Sequence, residues 1–229
     1  MSLIVKPENL EFLKLLSDNN DRDWFAEQKK DFKQQENHLK KFFLEIFNRL
    51  NIHDQLDTSK VFRIYRDVRF SKNKLPYKTH FAASYHRVKP DLRGGYYVHI
   101  EPNDKSFLAT GFWNPEKEDL FRIRKELEMD AKDFRTIIGE KDFRKIWGDL
   151  QGEELKSAPR DFDKDHVNID LIRKKQFVFR KSYTDKEVLS ETFLDEVVAS
   201  FQSIRPYFNY MSEVLTTNLN GESTINQEK

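Results

Sequence analysis

The amino-acid sequence predicts an α+β fold, with a central and mostly antiparallel sheet of four to five strands flanked by N-terminal and C-terminal helices. Apolar residues recur at helical spacing near both ends of the chain, whereas the middle, from Lys60 onward, alternates with a period of two. Strands grouped in one part of a chain, with helices before and after them, are typical of α+β proteins rather than of alternating βαβ units.

The first helices are predicted by their starting residues and their apolar spacing. Pro7 is expected in the first turn of a short helix, because the N–H that proline lacks would have no partner there. Asp21 is a favourable N-cap for a second helical segment. An amphipathic helix is then expected to continue to about residue 50, with an apolar side formed by Phe25, Phe32, Leu39, Phe43, Ile46 and Leu50.

Four segments in the middle of the chain are predicted to be strands, because they alternate and are rich in Phe, Tyr, Val and Ile: residues 61–66, 80–87, 95–101 and 106–112. The connections between the later strands are short, which favours antiparallel pairing. A fifth strand is predicted at residues 175–181.

The C-terminal half is predicted to be mainly helical. Asn114 is expected to cap a helix in which Pro115 is the first residue, and more helix is expected around 130–138. A short extended pair is expected around 143–160. Residues 186–217 are predicted to form one long closing helix, bent at Pro206.

Composition and charge favour a folded protein. The chain has 229 residues, 31 of them aromatic, and a net charge of +1, whereas disordered chains are poor in aromatics and highly charged. No repeat or linker divides it, so residues 1–217 are expected to form a single domain and 218–229 a disordered tail. The sequence contains no cysteine and no membrane-length apolar run. A soluble cytoplasmic protein without a membrane partner is therefore expected, and its oligomeric state is left open.

A strongly cationic segment interrupts this balanced composition. Residues 60–93 contain ten Lys and Arg against two Asp, a net charge of +8, so the rest of the chain carries −7. Arginine recurs every third residue at Arg63, Arg66 and Arg69, and arginine suits two-pronged recognition of carboxylate or phosphate. The alternative is that these cations pair with acidic helices elsewhere and belong to the scaffold.

The alternation of the predicted strands places chemically active side chains on one face of the sheet. Arg63, Tyr65 and Asp67 are expected to share a face of the first strand. If the strands align, the same face carries His80, Ala82, Ser84 and His86 from the second strand and Tyr97, His99 and Glu101 from the third. A one-residue change of register would destroy this alignment.

With these residues in view, the chain resembles the uncharacterised proteins of domain of unknown function family 2461. The resemblance covers about residues 9–212, and its motifs are NNDRDWF, FRIYRDVRFSKNKLPYKTHF, GGYYVHIEP, GFWNPEKEDLFRIR and LKSAPRDFDKDH. Asn73 departs from the family pattern, in which Asp is expected, and this weakens any role for a carboxylate there. The resemblance implies a single α+β domain and no established activity.

The main hypothesis is that the polar face forms a pocket for an anionic small molecule that bears phosphate or carboxylate. The candidate ligand-binding residues are Arg63, Arg66, Arg69, Lys74, Tyr77, Lys78, His80 and Tyr97. A hydrolase or phosphoryl-transfer enzyme is the first alternative, with Asp67 or Glu101 as base beside His99. No cofactor is predicted.

Three further hypotheses are considered. His80, His86, His99 and Glu101 are acceptable metal ligands, but their spacing is loose and predicts no metal site. Cations interleaved with aromatics suit nucleic acid, although the near-neutral chain makes this less favoured than a small anion. Trp24, Phe25 and Trp113 would serve a protein-interaction module as exposed anchors.

Overall fold

The computed structural model describes residues 3–225 and confirms the α+β class. Its sheet is antiparallel, and the five strands lie side by side in chain order. They are β1 (Leu56–Val61), β2 (Phe81–Arg87), β3 (Gly95–Ile100), β4 (Ser106–Phe112) and β5 (Phe177–Tyr183). Each strand therefore pairs with the strand that precedes or follows it along the chain. The connection from β4 to β5 is long, because it contains helices.

Helices precede, interrupt and follow the strands. The N-terminal group is α1 (Pro7–Asp18), α2 (Arg22–Glu27) and α3 (Lys29–Leu50). Between β4 and β5 lie α4 (Lys117–Met129), α5 (Lys132–Gly139), α6 (Lys141–Trp147) and α7 (Ile169–Ile172), and after β5 come α8 (Asp185–Val188), α9 (Phe193–Ser203) and α10 (Arg205–Thr216). Within the described residues, no helix combines the length and apolar composition needed to cross a membrane.

The described chain divides into two compact units. The first contains the residues up to Tyr85 together with Tyr97–Leu108 and Ser182–Ala199. The second contains His86–Tyr96, Ala109–Lys181 and the residues from Ser200 onward. The single domain expected for residues 1–217 stays a prediction.

The first unit has an aromatic core built on α3. Its buried apolar residues are spaced as the sequence predicts, and Phe32 stacks on Phe81 with ring centroids 6.2 Å apart. Phe25 stacks on Tyr77 at 3.9 Å. Asp21 caps α2, its carboxylate accepting hydrogen bonds from the backbone N–H groups of Asp23 and Trp24. The N-terminal helices thus pack against the segment around Tyr77 and hold it in place.

The second unit is built around α10. Tyr207 is fully buried, and its hydroxyl donates a 2.9 Å hydrogen bond to the Phe177 carbonyl. Gly94 has φ +96°, and a Cβ there would lie 2.4 Å from the Phe208 ring, so the position requires glycine for both backbone and space. This unit carries none of the candidate ligand-binding residues.

The prediction of the first strand was wrong in position. β1 ends at Val61, five residues before the predicted end. Residues 64–66 pair instead with residues 76–78: Lys78 N–H donates to the Ile64 carbonyl at 2.8 Å, and Arg66 N–H donates to the Pro76 carbonyl at 2.9 Å. This local pairing, which includes a Tyr65–Tyr77 bridge, competes with extension of the sheet.

The helical predictions for the C-terminal half were partly wrong. Helix α4 starts at Lys117 with Glu116 as N-cap, not with Pro115 after Asn114. Residues 143–160 begin within α6 and then make isolated antiparallel bridges from Gln151 and Glu154, instead of an extended pair.

The predicted long closing helix is three helices. Thr184 caps α8 with its hydroxyl, and Pro206 lies in the first turn of α10, where its missing N–H is tolerated. Proline therefore marks a helix start and not a bend. In the predicted disordered tail, residues 218–225 include a turn with a Thr217–Ser223 bridge, and residues 226–229 lie outside the described chain.

Candidate functional site

Strand β3 places three polar side chains in a row, because alternate residues of a strand point to the same face. The Tyr97 hydroxyl lies 3.2 Å from Nδ1 of His99, and Nε2 of His99 lies 2.7 Å from Oε2 of Glu101. His99 is thus bonded at both ring nitrogens. The geometry fits a Tyr97 hydroxyl that donates to Nδ1 and an Nε2–H that donates to the carboxylate.

The neighbouring strands complete this group, which we call the His–Glu cluster (Thr79, His80, Tyr97, His99 and Glu101). The hydroxyl of Thr79, just before β2, donates to Oε1 of Glu101 at 3.1 Å. The His80 ring lies 4.0 Å from the ring of His99. One potential ligand atom from each of His80, His99 and Glu101 lies within 4.8 Å of the other two. Antiparallel pairing of β2 and β3 thus joins residues that are 19 positions apart in sequence.

Burial shifts the pKa values of two members of this cluster, His80 and Tyr97. His99 is 6% exposed and is covered by Phe107 of β4, which stacks on it at 4.4 Å. Burial, together with the neighbouring charges of His99, Lys78 and Arg66, lowers the pKa of His80 to about 3. Burial and the Glu101 carboxylate raise the pKa of Tyr97 to about 12. At neutral pH, His80 is therefore uncharged and Tyr97 keeps its proton.

Four cations adjoin the His–Glu cluster and form what we call the cationic cluster: Lys60, Arg63, Arg66 and Lys78. The Lys78 ammonium donates to the Arg63 carbonyl at 2.9 Å. Lys60 and Lys78 lie 5.4 and 5.5 Å from the centroid of the Phe62 ring. Burial, with repulsion from Arg63, Arg66 and Lys60, lowers the pKa of Lys78. The four charges therefore act on one another.

The cationic cluster forms no ion pair in the described structure. Arg69 lowers the pKa of the Asp67 carboxyl most, and Arg63 lowers it further from beyond ion-pair distance. Across residues 3–225, no carboxylate oxygen lies within 4.0 Å of a side-chain nitrogen of these four residues. Arg66 donates from Nε to the Tyr77 carbonyl at 2.9 Å, which is a bond to a neutral acceptor. The interpretation that these cations pair with acidic helices is therefore not supported at this cluster.

Arg69, Lys74 and the predicted base Asp67 form no hydrogen bond or ion pair with either cluster within residues 3–225. The pKa of Asp67 is nevertheless lowered by Arg69 and, at longer range, by Arg63. Arg69 is exposed and binds the Asp67 carboxylate with two bonds of 2.7 and 3.0 Å. Lys74 donates to the Val68 carbonyl and lines an open cleft of about 480 Å³ together with Arg22. The structure shows no contact between Asp67 and the His–Glu cluster within the described residues. Asp67 is therefore not positioned as a base for His99 there.

Tyr77 has a structural position instead of a ligand-binding one. Its side chain is 5% exposed and packs between Phe25 and Tyr65. The side-chain amide of Asn20 accepts a hydrogen bond from the Tyr77 N–H and donates one to the Tyr77 carbonyl, both at 3.1 Å. Asn20 and Tyr77 belong to two different motifs of the sequence, and this pairing holds the chain just before Lys78 and His80.

The predicted polar face is correct for β3 and His80 but not for the first strand. Phe62, and not Arg63, contributes the side chain that packs against Tyr97, with ring centroids 5.9 Å apart. Tyr65 is 47% exposed, and its ring packs edge-to-face with the buried ring of Phe25. Because β1 ends at Val61, the alternation expected over 61–66 does not apply. Lys60 belongs to the cationic segment and Thr79 to the motif that ends in KTHF, but no local pattern marks either residue as part of a site.

Within residues 3–225, the fold and these two clusters define an α+β protein with four cations that form no ion pair beside a largely buried His–Glu pair. Residues 8–210 match the model of the family described as Conserved hypothetical protein (DUF2461), and the chain belongs to that family. No curated protein and no solved structure matched the chain significantly. The resemblance noted from the sequence motifs is thus confirmed, and function has to be argued from the site.

Proposed function

We propose that this protein binds an anionic small molecule, bearing phosphate or carboxylate, at the cationic cluster and the adjoining His–Glu cluster. The observation that carries the proposal is the absence, across residues 3–225, of any carboxylate oxygen within 4.0 Å of the side-chain nitrogens of Lys60, Arg63, Arg66 and Lys78. Like charges held together without a counterion destabilise a fold, and a bound anion removes that cost.

The state of Lys78 supports the same proposal. Its lowered pKa reports burial and repulsion by three neighbouring cations. A phosphate or carboxylate between these groups would reverse the repulsion and accept charge-assisted hydrogen bonds, which are stronger than neutral ones. Lys78 is therefore the residue that we expect to contribute most to anion affinity.

The His–Glu cluster supplies neutral groups for the remainder of such a ligand. His80 is uncharged at neutral pH and makes no hydrogen bond with another described residue. Its ring nitrogens are therefore available as donor or acceptor. A ligand with one anionic group and one hydroxyl or amide group fits this combination of charged and neutral partners.

The proposal is tested by thermal unfolding in the presence of EDTA and a panel of phosphate, pyrophosphate, sugar phosphates, dicarboxylates and short single-stranded oligonucleotides. A ligand at 100 times its dissociation constant adds about 2.7 kcal/mol to stability. We expect at least one small anion to raise the unfolding temperature of the wild-type protein. Lys78→Met and Arg63→Gln should lose that rise, because each removes a cation of the cluster.

The matched control is Lys105→Met, which removes an exposed lysine outside the cluster and should keep the full rise. Arg66→Ala and Lys78→Met each also remove a hydrogen bond, to the carbonyl of Tyr77 and of Arg63 respectively, so Arg63→Gln tests the loss of charge most specifically. An equal rise in the wild-type and Lys78→Met proteins would contradict the proposal. A response to oligonucleotides alone, falling steeply with salt, would favour the nucleic-acid alternative.

A hydrolase or phosphoryl-transfer activity is the second candidate, and His80 is the observation that favours it. His80 is uncharged at neutral pH and the cations beside it can stabilise a developing anion, but its lowered pKa makes it a weak base, so the expected rate is low. Hydrolysis of p-nitrophenyl phosphate or p-nitrophenyl acetate that is lost in His80→Gln would support it. The cytoplasmic location expected from the sequence stays a prediction.

A further inference from the structure

We propose that His80, His99 and Glu101 bind one first-row divalent transition-metal ion, with Zn²⁺ as the probe of choice. This goes beyond the proposed function, which requires no metal. Two imidazoles and one carboxylate are a ligand set that zinc and iron accept in proteins, with positions left open for an exogenous ligand. The sequence predicts no metal site because His80 is 19 positions from His99. The pairing of β2 with β3 brings these two residues together.

The distances are close to those of a bound ion. One donor atom from each of the three residues lies within 4.8 Å of the others. Zinc bonds of about 2.0–2.2 Å place tetrahedral ligand atoms roughly 3–3.5 Å apart. Nε2 of His99 and Oε2 of Glu101, at 2.7 Å, have to separate slightly, and the His80 nitrogen has to move inward. These are side-chain adjustments, and His80 has no hydrogen bond to another described residue that would oppose them.

Two hydroxyls form hydrogen bonds with the proposed metal ligands at the atoms that would not bind the ion, as outer partners do in metal sites. Thr79 binds Oε1 of Glu101 and leaves Oε2 directed at His99. Tyr97 binds Nδ1 of His99 and leaves Nε2 directed at Glu101. When a metal replaces the proton between Nε2 and Oε2, the imidazole proton moves to Nδ1. Without the metal, the Tyr97 hydroxyl donates a hydrogen bond to Nδ1. With the metal bound, it accepts a hydrogen bond from Nδ1–H, so the same residue supports His99 in both states.

The neighbouring cations determine what else the ion would hold. Lys78 and Arg66 act electrostatically on His80, so they weaken binding of a bare dication and favour an anionic further ligand. We therefore expect zinc affinity below that of closed structural sites. Hydroxide, phosphate or carboxylate would occupy the open position, on the side where the cationic cluster lies.

The test is calorimetric titration of the EDTA-treated and desalted protein with Zn²⁺, repeated with Co²⁺ to record visible absorption. We expect one ion per chain. Tyr97→Phe should weaken binding by about 10–100-fold, the usual cost of removing an outer partner. His80→Ala and Glu101→Gln, which remove ligands, should weaken it by more than Tyr97→Phe does. The matched control is His86→Ala, which removes an exposed histidine at the other end of β2 and should keep full affinity.

The melting temperature of each metal-free variant shows whether it is folded, and Glu101→Gln preserves shape if His80→Ala does not fold. Absence of stoichiometric binding to the wild type would overturn the proposal. Equal affinity of wild type, His80→Ala and Glu101→Gln would also overturn it and place the ion elsewhere. Anion binding in EDTA is measured separately, so failure of the metal site leaves the anion proposal standing, and the converse holds.

Discussion

The carboxylate of Glu101 lies 2.7 Å from Nε2 of His99, and its second oxygen accepts a hydrogen bond from Thr79. Both oxygens of this acid are therefore occupied within the His–Glu cluster. It does not neutralise the adjoining cations, since no carboxylate lies within 4.0 Å of their nitrogens in the described chain. The site thus combines an internally satisfied polar pair with cations that form no ion pair in the described chain, which is the physical basis of the anion proposal.

The first prediction concerns pH and His80. Its pKa is about 3 in the folded protein, against about 6.5 for an exposed histidine. The unfolded chain therefore binds a proton that the folded one does not, and stability is lost as pH falls from about 6.5 to 3. At pH 4 this group should cost about 3 kcal/mol.

Urea unfolding at pH 7 and pH 4, in EDTA, measures this cost by comparing the wild type with His80→Gln. The variant lacks the titrating group, so its loss of unfolding free energy over this interval should be smaller by that amount. Equal losses in the two proteins would show that His80 is not held neutral by burial and the nearby cations.

The second prediction concerns Asn20 and the segment that precedes His80. Asn20→Ala removes two hydrogen bonds to the Tyr77 backbone and leaves the Tyr77 N–H without this acceptor. We expect a loss of about 2 kcal/mol, since each such bond contributes about 1 kcal/mol. Asn73→Ala, which removes one exposed bond to Leu75 N–H, is the control and should change stability by much less. A smaller loss for Asn20→Ala than for Asn73→Ala would contradict the role of Asn20.

The third prediction separates core from exposed aromatics. Phe25 is 3% exposed and stacks on Tyr77, whereas Phe70 is 96% exposed. Phe25→Ala should cost about 3–5 kcal/mol, as for other large core truncations. Phe70→Ala should stay within about 0.5 kcal/mol. Chemical denaturation of both variants checks this, and a stable Phe25→Ala protein would restore the exposed-anchor interpretation.

The sequence predicts those features that depend on local periodicity. The spacing of Phe32, Leu39 and Ile46 predicted the buried side of α3, and the alternation of Tyr97, His99 and Glu101 predicted their common face. Both follow from fixed backbone geometry, which side chains of one element obey regardless of the remainder of the fold.

Features that depend on long-range pairing were not predictable in this way. Phe62, and not the predicted Arg63, lies beside Tyr97. Residues 64–66 pair locally with residues 76–78 instead of extending β1, and the alternation of the sequence does not distinguish these two pairings. The proximity of His80 to His99 depends on the register between β2 and β3. The missing counterions of the cationic cluster are likewise a property of the packed chain, because the sequence contains almost as many acidic as basic residues.

The most direct test of the central claim is calorimetric titration of the metal-free protein with pyrophosphate at pH 7, for the wild type, Lys78→Met and Lys105→Met. The cationic cluster predicts saturable binding to the wild-type and Lys105→Met proteins, with affinity that falls as salt rises. It predicts at least a tenfold loss in Lys78→Met, about 1.4 kcal/mol, because the most repelled cation of the cluster is gone. Binding of equal affinity to all three proteins would contradict the claim, and so would a wild-type protein that binds neither pyrophosphate nor any small anion of the panel.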